Sequence, residues 1–287
     1  MDNHILLDDL FRKAVSAIDA GDLAMLRALL TAHPELARER LQEPGAWLTA
    51  QLGGAIPAFF NSPYLLWFVA EDPVRQGKLP TNIPDVASTI IDTARSHSKT
   101  VNEQIEYAAR LVAWSVVARK SGVQIPLMAQ LLSNIDYLPD RLADDALVNG
   151  NFELADYIVQ KGGQLTYPVA LCLMRRADAA RLKESASAEE KQFGLVLSAL
   201  RGLPEALKLA IEHGGDPTKP AANLFSHGTP LHHAVWSGSI ECVQIVVEAG
   251  ADLSVCDLLY NATPLGWAEY GGHKTIAAYL RQQGACQ

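Results

Sequence analysis

The chain has 287 residues, 49% hydrophobic and 20% charged, a balance that fits a folded globular protein and excludes a disordered or low-complexity one. Its net charge of −8, from 32 acidic against 24 basic side chains, supplies no basic face for a nucleic-acid backbone. Four cysteines (Cys172, Cys242, Cys256 and Cys286) lie apart without CxxC spacing, as reduced packing thiols of a cytoplasmic protein do, and no apolar run reaches the roughly 18 residues that span a bilayer.

The N-terminus, MDNHILLDDLFRK, opens acidic and has too short an apolar run for a signal peptide. It leads into a helix pair that ends near Leu36. Here an interval first appears that recurs along the chain: 12 residues separate Gly21 from His33. The same interval joins Gly122 to Asn134, Gly150 to Gly162, Gly202 to Gly214, Gly238 to Gly250 and Gly272 to Gly284. Five residues past each first glycine stand Leu26, Leu127, Ala155, Leu207, Val243 and Ala277. Nine past it stand Leu30, Leu131, Val159, Ile211 and Val247, then Arg281. Apolar columns at helical spacing predict a buried face, and Arg281 predicts a wetter last unit.

Residues 41–61, with Gly45, Gly53, Gly54 and Pro57, read as a loop or insertion. Ser62-Pro63-Tyr64-Leu65 then opens a buried helix, LLWFVA, and helical periodicity resumes over Ile83–Ala94 after Pro73, Gly77 and Pro80. Residues 104–136 and 138–165 give two further helix pairs, 167–185 a truncated one and 188–218 another. Lys219 to His227 reads as a long finger. From Gly228 the repeat is plain: Thr229-Pro230-Leu231 recurs as Thr263-Pro264-Leu265, and Gly250 as Gly284, both 34 residues apart. Each threonine can cap a helix, each proline fits its first turn, and each terminal glycine suits a left-handed end.

TPLH at a period near 33 resembles the ankyrin repeat closely. The segments Ser226-His227-x-Thr-Pro-Leu-His-x-Ala-Val-Trp and Thr263-Pro-Leu-Gly-Trp-Ala resemble a group of bacterial ankyrin-repeat proteins, and the N-terminal PYLLWFVAEDP…LPTNI segment fits the same group. The resemblance implies an all-α solenoid of about eight helix-pair units, several irregular. Residues 1–40 would form an N-terminal helix-pair cap, 41–227 irregular repeats with insertions, and 228–287 two clear repeats with a C-terminal cap. It carries no reaction with it.

Histidines 227, 232, 233 and 273 crowd the last units with Cys256, Asp257 and Glu269, but adjacent histidines lack the i, i+4 spacing of a helical metal site. The resemblance implies that His232 bonds between neighbouring units and that His233 takes a leucine position. Ser226, His227 and Asp257 could form a hydrolytic arrangement, yet no G-x-S-x-G elbow marks the serine. No catalytic, metal or cofactor residue is therefore assigned.

The resemblance also implies that the two residues before each mid-unit glycine face a concave groove: Trp236-Ser237, Tyr270-Gly271, Leu200-Arg201, Val148-Asn149 and Lys120-Ser121. The fingers are Leu224 to His227 and Asp257 to Asn261. Aromatic residues there would act as binding anchors. The expected partner-binding set is Phe225, His227, Trp236, Leu258, Tyr260 and Tyr270, in a monomeric cytoplasmic module that binds another protein and neither nucleic acid nor membrane. The alternative is an enzyme or small-molecule binder with a pocket where the repeats are irregular.

Overall fold

The computed structural model describes residues 3–42, 44–50, 62–95 and 100–285. Among them the regular structure is helical, with one isolated bridge between Ala221 and Leu224 and no strand. No helix among the described residues is long and apolar enough to cross a membrane. The chain divides into two compact units, 1–164 and 165–287.

The first unit holds α1 (Asn3–Ala20), α2 (Leu23–Ala32), α3 (Glu35–Arg38), α4 (Ala46–Thr49), a 3-10 helix (Leu65–Ala70), α5 (Ile83–Arg95), α6 (Val101–Trp114), α7 (Val116–Lys120), α8 (Gln124–Leu132), α9 (Leu142–Val148) and α10 (Phe152–Gln160). One row of packed elements runs α1, 3-10 helix, α6, α9; the other runs α2, α5, α8, α10. These are the stacked pairs that a repeat needs, because no pair can bury its apolar face alone.

Two details depart from the sequence reading, and two expectations fall outside the described residues. The expected loop at 41–61 contains a four-residue helix, α4, and from residue 51 onward it lies outside the described residues, with Gly53, Gly54 and Pro57. Cys286 lies outside them too. LLWFVA is a 3-10 helix whose six residues are all buried, running from extended Tyr64 to left-handed Glu71. At about 2.0 Å per residue it spans about 12 Å, where an α-helix of that length would span about 9 Å. The stretched form thus fills a place in the row that its neighbours fill with longer helices.

The second unit holds α11 (Tyr167–Cys172), α12 (Arg176–Leu182), α13 (Ala188–Leu200), α14 (Pro204–Glu212), α15 (Pro230–Trp236), α16 (Ile240–Glu248), α17 (Pro264–Tyr270) and α18 (Lys274–Gln282). Inner helices α11, α13, α15 and α17 pack in order, and outer helices α14, α16 and α18 do likewise. The truncated pair expected at 167–185 is α11 and α12, of six and seven residues. Thr166 and Thr263 cap α11 and α17, accepting from Val169 N–H at 3.3 Å and Gly266 N–H at 3.2 Å.

The column five residues past each mid-unit glycine is buried throughout, from Leu26 to Ala277. The second column needs correction. In the units ended by glycine, the position nine past (Val159, Ile211, Val247) is only half-buried, and the buried residue is one earlier: Ile158, Ala210, Val246 and Leu280. Ala210 apart, those residues are large and branched, and with the first column they sit three apart on one helix face. Arg281 therefore occupies a partly wet position in every such unit and does not by itself mark a cap.

Gly162, Gly214, Gly250 and Gly284 all adopt φ of 94°. A Cβ on Gly250 would meet nothing within 4 Å, so only backbone strain opposes a side chain there. Gly250→Val is expected to lower stability by about 1–3 kcal/mol, read from the urea midpoint. An unshifted midpoint would show that the loop after α16 relaxes freely.

Candidate functional site: a two-finger face on the last repeats

Two fingers, residues 216–228 and 249–262, lead into α15 and α17. They are tied together by Leu258 N–H, which donates to the His227 carbonyl at 2.8 Å. The second finger closes on Asp257. Its N–H donates to the Ala262 carbonyl at 2.9 Å. Its carboxylate accepts from the N–H groups of Leu259 (2.8 Å), Tyr260 (2.7 Å) and Ala262 (3.1 Å), and from the Trp267 indole (2.9 Å). Burial alone would raise the Asp257 pKa, but these donors outweigh it and bring the carboxyl to about 2. The tip of the finger is wound around a charge.

The histidines are framework. His232 Nδ1 takes the Thr229 N–H at 3.2 Å and lies 2.8 Å from the Thr229 hydroxyl, which leaves Nε2–H to donate to the Ala262 carbonyl at 3.0 Å. That bond joins one repeat to the finger of the next, as the resemblance implied. His233 Nε2 donates to the Phe225 carbonyl at 3.1 Å, and burial pushes its pKa down to about 4. Phe225 is thereby held at a φ of 43°, unusual for a side chain of its size.

Trp267, a residue absent from the expected binding set, is the hub of this face. Its ring lies 5.1 Å from His232, 5.9 Å from His227, 6.3 Å from His233 and 5.9 Å from Trp236, the last edge-on. The sequence did carry a signal: the spacing of 34 that aligns Thr229 with Thr263 aligns His233 with Trp267. Two adjacent repeats place a nitrogen-bearing ring where the repeat pattern prefers leucine.

The six expected residues fall into two groups. Tyr270 (88% exposed), Leu258 (82%), Tyr260 (73%) and Trp236 (53%) present broad apolar surface, and Phe225 is half exposed. His227 is partly buried, packed on Trp267 and 6.3 Å from Phe225. Other finger and groove positions are corrected by the packing. Leu224 and Asp257 are buried within the fingers, and Leu200 and Val148 are buried at the ends of α13 and α9. The hydrolytic arrangement is not assembled, since the Asp257 oxygens are taken by the finger N–H groups and the indole rather than by His227. Among the described residues no three His, Cys, Asp or Glu side chains gather as a metal site would require.

A family profile described as ankyrin repeats (3 copies) matches two overlapping stretches, residues 145–257 and 195–287. The chain carries ankyrin repeats. The chain is 39% identical, over 86 residues, to part of the potassium channel AKT1 of Arabidopsis thaliana, covering 30% of this chain and 10% of that one. It is 32% identical, over 81 residues, to the cyclin-dependent kinase 4 inhibitor B of Rattus norvegicus, covering 28% of this chain and 60% of the inhibitor. The human inhibitor is 29% identical, with 31% of this chain and 85% of the inhibitor covered. The chain thus spans a tenth of the channel and under two thirds of the rat inhibitor. Ankyrin repeats are in general protein-interaction modules, and the long inner rows described above are the form that such modules take.

Proposed function

We propose that this protein binds another protein through the face formed by the fingers and inner helices of its last two ankyrin units. One observation carries the reading: Tyr260, Tyr270, Leu258 and Trp236 stand in solvent on a scaffold fixed by the Asp257 and His232 bonds. Exposed aromatic side chains on a rigid support supply contact area at small entropic cost, which is the composition of binding anchors. An inhibitor of a kinase among the relatives is in keeping with a protein partner, without indicating which.

The test is capture from the source lysate by the full chain, beside Trp236→Ala and Tyr270→Ala. Each substitution is expected to weaken partner binding by about 2 kcal/mol, the threshold of a hot spot. Tyr270→Ala should leave the unfolding midpoint within about 0.5 kcal/mol of wild type. Trp236→Ala should cost about 1 kcal/mol of stability as well, because its ring packs edge-on against Trp267. An identical set of captured proteins with all three chains would place the binding face elsewhere.

A further inference from the structure

We infer that the segment bound on this face presents an arginine or lysine among apolar residues. The inference rests on the protein-binding reading above and concerns the chemistry of the partner.

The two fingers, α15 and α17 carry four carboxylates (Asp216, Asp252, Asp257 and Glu269) and one cationic side chain, Lys219, so the surface that would meet the partner is acidic. Lys219 is already paired with Asp216, and Arg281 of α18 pairs with Glu269. Asp257 contributes a full negative charge that every bond to it leaves in place, since its four donors are three backbone amides and an indole, all neutral. Among the described residues no lysine or arginine pairs with it. That charge is one indole ring removed from Trp236.

The exposed groups have the same sign. Trp, Tyr and Phe rings carry negative potential on their faces and attract a cation placed over them, with Trp the strongest partner. Trp236 offers such a face without a cation of this chain above it among the described residues, whereas the Tyr64 and Trp67 rings of the first unit already have the Arg40 guanidinium over them at 4.5 and 5.1 Å. The leucines at 258 and 259 supply the apolar remainder of the footprint. Guanidinium is weakly hydrated and stacks on aromatic faces, so arginine should be favoured over lysine. A phosphate-bearing partner would meet repulsion on the same surface.

A random peptide library displayed on phage, panned on the full chain, tests this. Enriched peptides are expected to carry arginine or lysine flanked by apolar residues. A synthetic copy of the best should bind about tenfold more weakly when its arginine becomes glutamine, and several-fold more weakly from low to physiological salt. Tyr270→Ala and Leu258→Ala should weaken binding with unchanged thermal unfolding. Enriched peptides that are apolar or acidic, insensitive to salt yet weakened by Tyr270→Ala, would overturn the basic partner and leave the binding face standing. Failure to enrich any peptide, or binding indifferent to both substitutions, would overturn both. Self-association of the chain abolished by Leu258→Ala would replace the basic segment with a second copy.

Discussion

Replacing Arg75 by methionine is expected to destabilise the first unit by about 3–5 kcal/mol, more than any other single change proposed for this protein. Arg75 lies almost fully buried between Asp19 and Glu71. Its guanidinium bonds Asp19 through Nε at 3.0 Å and Nη2 at 2.7 Å, reaches the Phe68 carbonyl at 2.9 Å and sits 3.1 Å from Glu71 Oε2. Glu71 in turn accepts the N–H groups of Arg75, Gln76 and Gly77 on Oε1, which closes the turn after the 3-10 helix. Methionine fills the space but leaves two buried carboxylates without a cation. Burial already pushes the Asp19 pKa up, with Arg75 only partly offsetting it.

A second substitution separates charge from shape. Asp19→Asn in the Arg75→Met background should return part of the lost stability, because it removes one of the stranded charges. The pH dependence has a definite sign. A carboxyl whose folded pKa is raised binds more protons when folded, so the Arg75→Met chain should gain stability relative to wild type as pH falls from neutrality toward 5. Urea midpoints for wild type and the two variants, at two pH values, check this. A loss under about 1 kcal/mol would mean that water reaches Asp19 and Glu71 when the arginine is gone.

The ankyrin architecture was legible because its signals are local. Glycines at fixed intervals, Thr-Pro at helix starts and an apolar column each act through backbone conformation or one helix face, and residues Gly228 to Gly284 carry all three in register. The 3-10 form of LLWFVA was not legible. An uninterrupted apolar run has no period to distinguish helix types, and the stretch is set by Tyr64, Glu71 and the row it completes. The one-residue shift of the second column escaped for a related reason: adjacent apolar residues such as Ile158 and Val159 look equivalent until packing chooses between them. The exposed aromatics could be named from repeat position, whereas Trp267 and Asp257 gained their roles from contacts across ten residues and across repeats. The Arg75 cluster joins residues 56 apart, and no spacing rule reaches it.

Asp257→Asn is expected to cost about 2–3 kcal/mol and to loosen the finger that presents Leu258 and Tyr260. The carboxylate satisfies four N–H donors in a site only 3% exposed, and an amide offers one acceptor oxygen in its place while turning two donors toward others. The folded pKa of about 2 lies roughly two units below the unfolded value of about 3.9, which corresponds to stability on the order of 2–3 kcal/mol. Because the folded pKa is depressed, that contribution is fully present above pH 4 and is lost as pH falls toward 2. The wild-type chain should therefore lose more stability between pH 5 and pH 3 than Asp257→Asn does, and the two should converge in acid. Hydrogen exchange gives the local reading. The amides of Leu259, Tyr260 and Ala262 should be protected in wild type and exchange far faster in the variant, while those of α13 keep their protection. Equal protection of the three finger amides in both chains, or a variant whose stability falls with pH in parallel with wild type, would show that the carboxylate charge does not hold the finger.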